Sequence, residues 1–167
     1  LKIPIGFSRT FRDSSVNWCF DTEPQIELGG RTVFWPRGRV VGGSSSINGM
    51  IYMRGHPLDF DGWAASGLNG WSWADVLPYF RRSEGQLCGL QDVYGSAGPI
   101  GISALPVENP ATEAFVQSAE RSGLPRVATF NTTTQTGAGP YQITSVNGVR
   151  CSAATAYLTP VRHRENL

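Results

Sequence analysis

The sequence predicts an α/β fold with long irregular connections. Short apolar segments of strand type alternate with segments of helical periodicity, and the stretches between them are rich in turn residues. The 167 residues include 20 glycines and 11 prolines, and a chain of this length can bury a core of its own. The formal net charge of +1 gives no support for a nucleic-acid partner, and no apolar run has the length of a transmembrane helix.

The first part of the chain predicts a strand, a glycine turn and a helix in that order. Residues 31–35 (RTVFW) are rich in strand-forming side chains, and the proline after them ends the strand. The pair Gly42–Gly43 predicts a tight turn. The run Ser44–Ser46 supplies N-cap residues for a helix that we expect from about Ser45 to Met53.

Two further helices are predicted in the middle of the chain. Residues 59–65 have the pattern of a short helical turn. Ser72 and Asp75, three positions apart, form a variant of the capping box, so a longer helix begins there. Pro78 lies inside the pattern of this longer helix and predicts a kink or an early end.

The second half predicts strands on both sides of one well-delimited helix. Asn109 followed by Pro110 is a favoured helix start, and Gly123 ends that helix. Strand patterns occur before it, at residues 100–104, and after it, at residues 141–144.

A tight turn and a short helix are predicted near the end of the sequence. The pair Asn147–Gly148 is typical of a two-residue hairpin turn. Residues 152–158 then have helical periodicity, and Pro160 is expected to stop that helix.

The glycine–serine turn carries the chemistry. At Gly42–Gly43 a ligand can approach the main chain closely, because these residues have no Cβ. The N-terminus of a following helix favours a negatively charged or electron-rich group, and the hydroxyls of Ser44–Ser46 with the Asn48 amide add donors. Such a loop can cradle a pyrophosphate or an isoalloxazine ring. A tight turn with a serine-rich cap has the same physical features.

The longer segment around this turn resembles a known family. Residues 38–61, GRVVGGSSSINGMIYMRGHPLDFD, are similar throughout to the first signature of the glucose–methanol–choline (GMC) oxidoreductases. The match includes the paired glycines, the small hydroxyl residues and Asn48, and then Tyr52, Gly55 and Asp61 at the family's spacing. Four other segments also resemble family elements: TEPQ at 22–25, GWSW at 70–73, FN at 130–131 and GVRCSAA at 148–154.

The resemblance implies an internal piece of the N-terminal half of such an enzyme. The expected fold is part of a GMC-type, Rossmann-like FAD-binding domain with the start of an α+β substrate domain. Residues 1–85 and 148–167 would belong to the FAD-binding domain, and residues 86–147 would form the substrate-domain or lid excursion. The family's GxGxxG fingerprint and its catalytic histidine pair are expected outside this chain.

The resemblance also implies which residues contact FAD. No residue of this chain is assigned a catalytic role and no metal site is expected. Ile47 stands where some relatives carry a histidine that bonds covalently to the flavin, so we expect non-covalent FAD. The expected cofactor-binding residues are Arg39, Val41, Gly42, Gly43, Ser44, Ser45, Asn48, Gly49, Met50 and Ile51.

The implied activity is FAD-dependent oxidation of an alcohol, with hydride transfer to the flavin. The expected substrate is a small-molecule primary alcohol, such as choline or a small aryl or aliphatic alcohol. One alternative is a hydroxynitrile lyase on the same scaffold, and another is that the 167 residues alone are an inactive fragment that binds no stoichiometric FAD. The widely spaced Cys19, Cys88 and Cys151 predict reduced thiols of a non-secreted protein, with one disulfide pair as the alternative. The sequence leaves the localisation open, with a slight preference for the cytoplasm.

Several other features invite functional readings that the sequence does not favour. Gly137–Pro140 shares only part of the glycine pattern of a dinucleotide-binding turn and is expected to be a loop. Neither His56 nor His163 matches the position of the family's base. The run Ser44–Ser46 lacks the GxSxG context of a hydrolase nucleophile. Residues 131–135 either border a substrate entrance or form a surface loop.

Overall fold

The computed structural model describes residues 2–90, 93–105 and 109–167 and divides the chain into two compact units. The first unit combines Leu1–Met50 with Asn147–Leu167, and the second is Ile51–Val146. One division lies beside the expected domain boundary at residue 147, and the other precedes residue 85 by a wide margin. The assignment of functional domains to these units stays a prediction.

Within the described residues, the chain combines short strands with three α-helices and several single helical turns. No helix of the described ranges has both the length and the apolar character needed to cross a bilayer. The strands are β1 (Phe20–Asp21), β2 (Phe34–Trp35), β3 (Ile51–Tyr52), β4 (Glu84–Gln86), β5 (Ile100–Ser103), β6 (Gln142–Val146) and β7 (Val149–Arg150). The α-helices are α1 (Pro57–Ala65), α2 (Trp73–Ser83) and α3 (Pro110–Arg121), and 3-10 turns occur at Pro4–Thr10, Ile26–Leu28, Gly43–Ser46 and Thr159–Val161.

The second unit is built on a small mixed sheet. Its strands lie in the order β3-β6-β5-β4, with β4 parallel to β5 and the other two pairs antiparallel. Ile102 of β5 lies opposite Thr144 of β6 and Gln86 of β4, and its side chain is fully buried. The expected α/β class is confirmed, and the strand predicted at residues 100–104 corresponds to β5.

Local capping chemistry fixes the starts of the helices, as predicted. Ser72 and Asp75 form a complete capping box at α2, and the Asn109 side chain accepts a hydrogen bond from the Ala111 N–H at α3. The α1 helix starts after His56, whose Nδ1 accepts from the N–H of Leu58 at 3.1 Å.

The early end predicted at Pro78 does not occur, and the alternative of a kink stays a prediction. Pro78 has no N–H to donate within a helix, yet α2 continues past it to Ser83. The aromatic side chains on this part of the unit support the helix, since Phe60 lies 5.7 Å from Trp73 and 5.8 Å from Phe80 between ring centroids.

The helix predicted from Ser45 to Met53 is wrong. The chain forms a four-residue 3-10 turn at Gly43–Ser46, and the strand β3 begins at Ile51. The Ser45 hydroxyl donates to the Gly42 carbonyl, and the Ser46 hydroxyl donates to the carbonyl of Val41. These local hydrogen bonds compete with helix formation.

Two smaller predictions near the ends of elements also need correction. The strand predicted at residues 31–35 is limited to Phe34–Trp35, and Arg31 forms only an isolated bridge to Gln25. The helix predicted at 152–158 is a π-helical segment at Ala154–Leu158, and it passes into the 3-10 turn that contains Pro160. Proline fits there because the first turn of a helix does not need its N–H.

A buried ion pair lies at the centre of the second unit. The Arg54 guanidinium donates to both carboxylate oxygens of Glu84, from Nε at 2.8 Å and from Nη2 at 2.5 Å. The Tyr52 hydroxyl and the Gly95 N–H complete the shell of the carboxylate at 2.6 and 2.9 Å. Burial alone would raise the pKa of Glu84, but the hydrogen bonds from Arg54 and Tyr52 outweigh it and hold this pKa below its usual range.

Asn131 extends this polar cluster to the loop before β6. Its Oδ1 accepts from the main-chain N–H of Arg54 at 2.5 Å, and its Nδ2 donates to the Tyr94 hydroxyl at 2.6 Å and to the carbonyl of Tyr52 at 3.2 Å. The Tyr94 hydroxyl in turn donates to Gln142 Oε1 at 2.9 Å. The cluster therefore joins five separate segments of the chain, at residues 52–54, 84, 94–95, 131 and 142.

Replacement of Glu84 by glutamine should destabilise the protein strongly, because Arg54 would stay buried without its counter-charge. The expected loss in the free energy of unfolding is about 3–5 kcal/mol at neutral pH. The Glu84 pKa is lower in the folded than in the unfolded state, so its contribution is complete above the unfolded-state pKa. It is lost as the pH falls through the folded-state pKa. Urea denaturation of the full chain from pH 7 to pH 3 measures both effects.

Glu113→Gln is the matched control for Glu84→Gln. Glu113 forms an exposed ion pair with Arg126 at 2.7 Å, and solvent screens such a pair. Its substitution should change stability far less. Equal losses in the two variants, or an unchanged acid dependence in Glu84→Gln, would contradict the role assigned to the buried pair.

Candidate cofactor-binding loop

Residues 38–50, here called the signature loop, reverse direction within a few residues. Gly42 and Gly43 have φ angles of 93° and 57°, and Met50 has 63°. A Cβ on Gly42 would lie 2.5 Å from the Ser46 hydroxyl, and a Cβ on Gly38 would overlap the main chain of Gly43. Glycine is therefore required for both the backbone angles and the close approach of the two ends of the turn.

The serine hydroxyls stabilise the loop itself. Ser45 Oγ donates to the Gly42 carbonyl at 2.5 Å and accepts from the N–H of Ala153 at 2.9 Å. Ser46 Oγ donates to the Val41 carbonyl at 2.9 Å. The expectation that all three hydroxyls serve as ligand donors is therefore wrong for these two serines, whose hydrogens are already used.

Within Ser44–Ser46, Ser44 is the serine whose hydroxyl hydrogen takes no part in these internal hydrogen bonds. Its Oγ accepts from the Gly38 N–H at 3.1 Å, and the residue is exposed. A hydroxyl that accepts one hydrogen bond still has a hydrogen to donate. Ser44 therefore keeps the donor capacity that the sequence analysis expected.

Arg150 connects the signature loop to the segment near the end of the chain. Its Nη1 donates to the Ser45 carbonyl at 3.1 Å and to Asn48 Oδ1 at 2.8 Å. The residue is 4% exposed, and this burial lowers the pKa of its guanidinium. Arg150 was absent from the expected site residues, although the resemblance of residues 148–154 to a family element marked its segment.

Asn17 holds the other side of the loop and was not found by sequence reasoning. It is 1% exposed, and its Oδ1 accepts from the N–H groups of Cys19 and Arg37 at 3.0 and 2.9 Å. Its Nδ2 donates to the carbonyls of Thr10 and Phe11 at 3.3 and 2.8 Å. A single asparagine in a turn-rich segment carries no sequence signal for such a role.

The outer face of the signature loop is open. Val41 is 67% exposed, and a Cβ on Gly43 would meet no atom within 4 Å. Arg39 and Gly49 are also exposed, and the Arg39 guanidinium lies 5.1 Å from the centroid of the Trp18 ring. A cavity of about 230 Å³ adjoins the loop and is lined by Lys2, Val40, Val41, Ser46, Arg150, Ser152 and Thr155.

These features fit a flavin nucleotide. The exposed valine offers apolar surface to an aromatic ring, the open side of Gly43 lets a ligand reach the main chain, and Lys2 and Arg39 supply positive charge for phosphates. Among residues 2–90, 93–105 and 109–167, no three His, Cys, Asp or Glu side chains are grouped to hold a metal ion.

Nine of the ten expected cofactor-binding residues lie together in the signature loop, and Ile51 does not. Ile51 begins β3 of the second unit, where it is exposed. Met50 is buried, so its side chain faces away from solvent. Ile47 is also buried, at 2% exposure.

The other residues weighed in the sequence analysis lie elsewhere. His56 caps α1, and His163 is exposed. The loop at 137–140 forms a bridge from Ala138 to Arg126 rather than a strand–turn–helix. Asn131 is buried in the polar cluster of the second unit, whereas residues 133–134 are exposed.

The chain is similar to known proteins over nearly its whole length. A family model described as GMC oxidoreductase matches residues 11–167. An oxygen-dependent choline dehydrogenase from Brucella anthropi is 43% identical over 167 residues, which cover 100% of this chain and 30% of that protein. The crystal structure of pyridoxine 4-oxidase from Mesorbium loti matches with a TM-score of 0.89 at 36% identity, over 99% of this chain and 33% of the other.

A third similar protein is an FAD-dependent oxidoreductase from Chaetomium thermophilum. Its structure matches with a TM-score of 0.81 at 31% identity, over 90% of this chain and 28% of the other. These three relatives are, by name, a dehydrogenase, an oxidase and an oxidoreductase. The chain belongs to the GMC oxidoreductase family, which confirms the resemblance, and it spans about 30% of the length of the curated relative it matches.

Proposed function

We propose that this chain forms one wall of the FAD site of a GMC alcohol oxidoreductase. The observation that carries the proposal is the signature loop itself. Its main chain and two of its serines are locked by internal hydrogen bonds, while its outer face stays open at Gly43 and Val41. A rigid loop with an open face is suited to hold a flat ligand, because the loop loses little further conformational entropy on binding.

The exposed members of the loop would contact FAD. They are Arg39, Val41, Ser44, Asn48 and Gly49, and Gly42, Gly43, Ser45 and the buried Met50 would contribute through main-chain groups. Ile51, the next residue along the chain, is a further proposed contact residue. Bound FAD would supply the hydride acceptor for oxidation of a CH–OH donor, and this chain would bind and orient the cofactor.

The expected domain roles belong to the same proposal. Residues 1–85 and 148–167 would serve the FAD-binding domain, and residues 86–147 would form part of the substrate domain. The chain matches about 30% of its curated relative, so we propose that it acts within a longer polypeptide that supplies the catalytic base. The isolated 167 residues should then bind no stoichiometric FAD.

The proposed substrate is a small primary alcohol. The Brucella anthropi relative is named for choline, and the Mesorbium loti relative is named for pyridoxine. Both compounds carry a primary hydroxyl group. The relatives named above are oxidoreductases, so they give the lyase alternative no support.

Anaerobic mixing of the FAD-loaded full-length protein with alcohols tests the activity. We expect choline, pyridoxine or benzyl alcohol to bleach the visible absorbance of the flavin as the alcohol is oxidised. The matched methyl ethers, which have no hydroxyl proton to release, should leave the absorbance unchanged. Release of aldehyde from a cyanohydrin with the flavin still oxidised would contradict the proposal.

Gly43→Ala should weaken FAD binding because its Cβ points into the open side of the loop. Gly29→Ala is a matched control, since Gly29 has a similar φ of 68° and also meets no atom within 4 Å of a built Cβ. Both variants carry the same left-handed strain, of about 1–2 kcal/mol. We expect at least a roughly tenfold rise in the FAD dissociation constant for Gly43→Ala only, which corresponds to about 1.4 kcal/mol. Equal affinities in the two variants would contradict the placement of the cofactor.

The proposed attachment of FAD is non-covalent, because isoleucine at position 47 has no nucleophilic atom. Precipitation of the FAD-loaded full-length protein with acid should leave the flavin absorbance in the supernatant. A pellet that stays yellow after washing would show a covalent bond and overturn this part of the proposal.

A further inference from the structure

Asn48 is held in one orientation. Its Oδ1 accepts two hydrogen bonds, from Arg150 Nη1 at 2.8 Å and from the main-chain N–H of Met50 at 3.1 Å. A carboxamide oxygen has two lone pairs, so both are used. If the amide were flipped, its NH₂ group would face two hydrogen-bond donors and could bond to neither. Only one amide orientation is therefore acceptable.

The same two contacts decide where the amide hydrogens point. Arg150 Nη1 and the Met50 N–H are both donors, so neither can accept a hydrogen bond from Nδ2. Asn48 is an exposed residue of the signature loop, so its amide hydrogens are left for an acceptor other than these two groups. The Met50 N–H reaches the asparagine side chain two residues back, which is the local contact of an Asx turn.

Arg150 is well placed to enforce this orientation. It is 4% exposed, and a second hydrogen bond from its Nη1 to the Ser45 carbonyl, at 3.1 Å, ties the guanidinium to the loop. A charged donor makes a stronger hydrogen bond than a neutral one, so the arginine contact dominates the choice of amide orientation.

We infer that Arg150 is a positioning residue, which fixes the Asn48 amide so that its Nδ2 donates a hydrogen bond to an acceptor atom of bound FAD. Arg150 itself does not touch the cofactor and acts through Asn48. The inference rests on the proposed function and deepens it. It assigns a ligand-facing donor to Asn48 and a supporting role to Arg150.

Asn48→Asp separates the two functions of the asparagine. The aspartate keeps an oxygen for Arg150 and Met50, but it replaces the ligand-facing donor with a second acceptor. In the full-length protein we expect an unchanged thermal midpoint in the absence of FAD. We also expect at least a roughly tenfold weaker affinity for FAD and a shifted visible absorption maximum of the bound flavin. Asn147→Asp is the charge-matched control, because Asn147 is exposed in the turn before β7, and it should change none of these.

Arg150→Met and Arg150→Lys test the positioning role. The methionine variant should weaken FAD binding, and lysine, which keeps a charged donor, should restore part of it. If Arg150 acts through Asn48, the effect of Arg150→Met on FAD affinity should largely vanish in the Asn48→Asp background. Additive effects would assign Arg150 an independent role and overturn the inference.

The outcomes separate this inference from the proposed function. If the unmodified full-length protein binds no FAD, the proposed function fails. If it binds FAD and Asn48→Asp binds it with the same affinity and the same spectrum, the inference alone fails and Asn48 is only a brace. Should Arg150→Met not fold, Arg150→Lys alone and in the Asn48→Asp background tests the positioning role, and Asn48→Asp still tests the donor role of Asn48.

Discussion

The chain reversal at Gly42–Gly43 is the constraint on which the signature loop depends. The left-handed backbone there brings the Gly38 end of the loop against Gly43, so that a Cβ on Gly38 would overlap the main chain of Gly43. This closeness lets the Ser46 hydroxyl reach the Val41 carbonyl and lets Ser44 accept from the Gly38 N–H. Because the loop satisfies these polar groups internally, its shape does not depend on a ligand.

The loop is also fixed by buried polar side chains that are distant from it in sequence. Asn17 ties the strand-like segment at Arg37 to the N-terminal turns, and Arg150 ties Ser45 and Asn48 to the end of the chain. In the second unit, Arg54 and Glu84 form a similar buried polar cluster. Such fully paired polar clusters give little net stability compared with apolar packing, but losing one partner is costly, which favours a single geometry.

The features that were predicted correctly from the sequence depend on residues that are close neighbours along the chain. The capping box at Ser72 and the Asn109–Pro110 helix start were found because their partners lie within three positions. The helix expected from Ser45 does not form, because the serine hydroxyls donate to carbonyls of preceding residues. Arg150 acts on a residue more than one hundred positions away, and no local pattern encodes that contact. Its segment was visible only through resemblance to the family.

The bracing of the loop also limits what can select a ligand there. Ser45 and Ser46 have donated their hydrogens, so the groups that remain for a ligand are main-chain atoms, the Ser44 hydroxyl, the Arg39 guanidinium, the apolar Val41 side chain and the Asn48 amide. A site for phosphate alone would have little use for an exposed valine. A flat ring with polar atoms on its edge uses both the apolar surface and an oriented amide donor. The proposal that the loop forms a wall of a flavin site therefore has two grounds. The hydroxyl hydrogens of Ser45 and Ser46 are already used within the loop, and the groups that the loop exposes suit a flat ring.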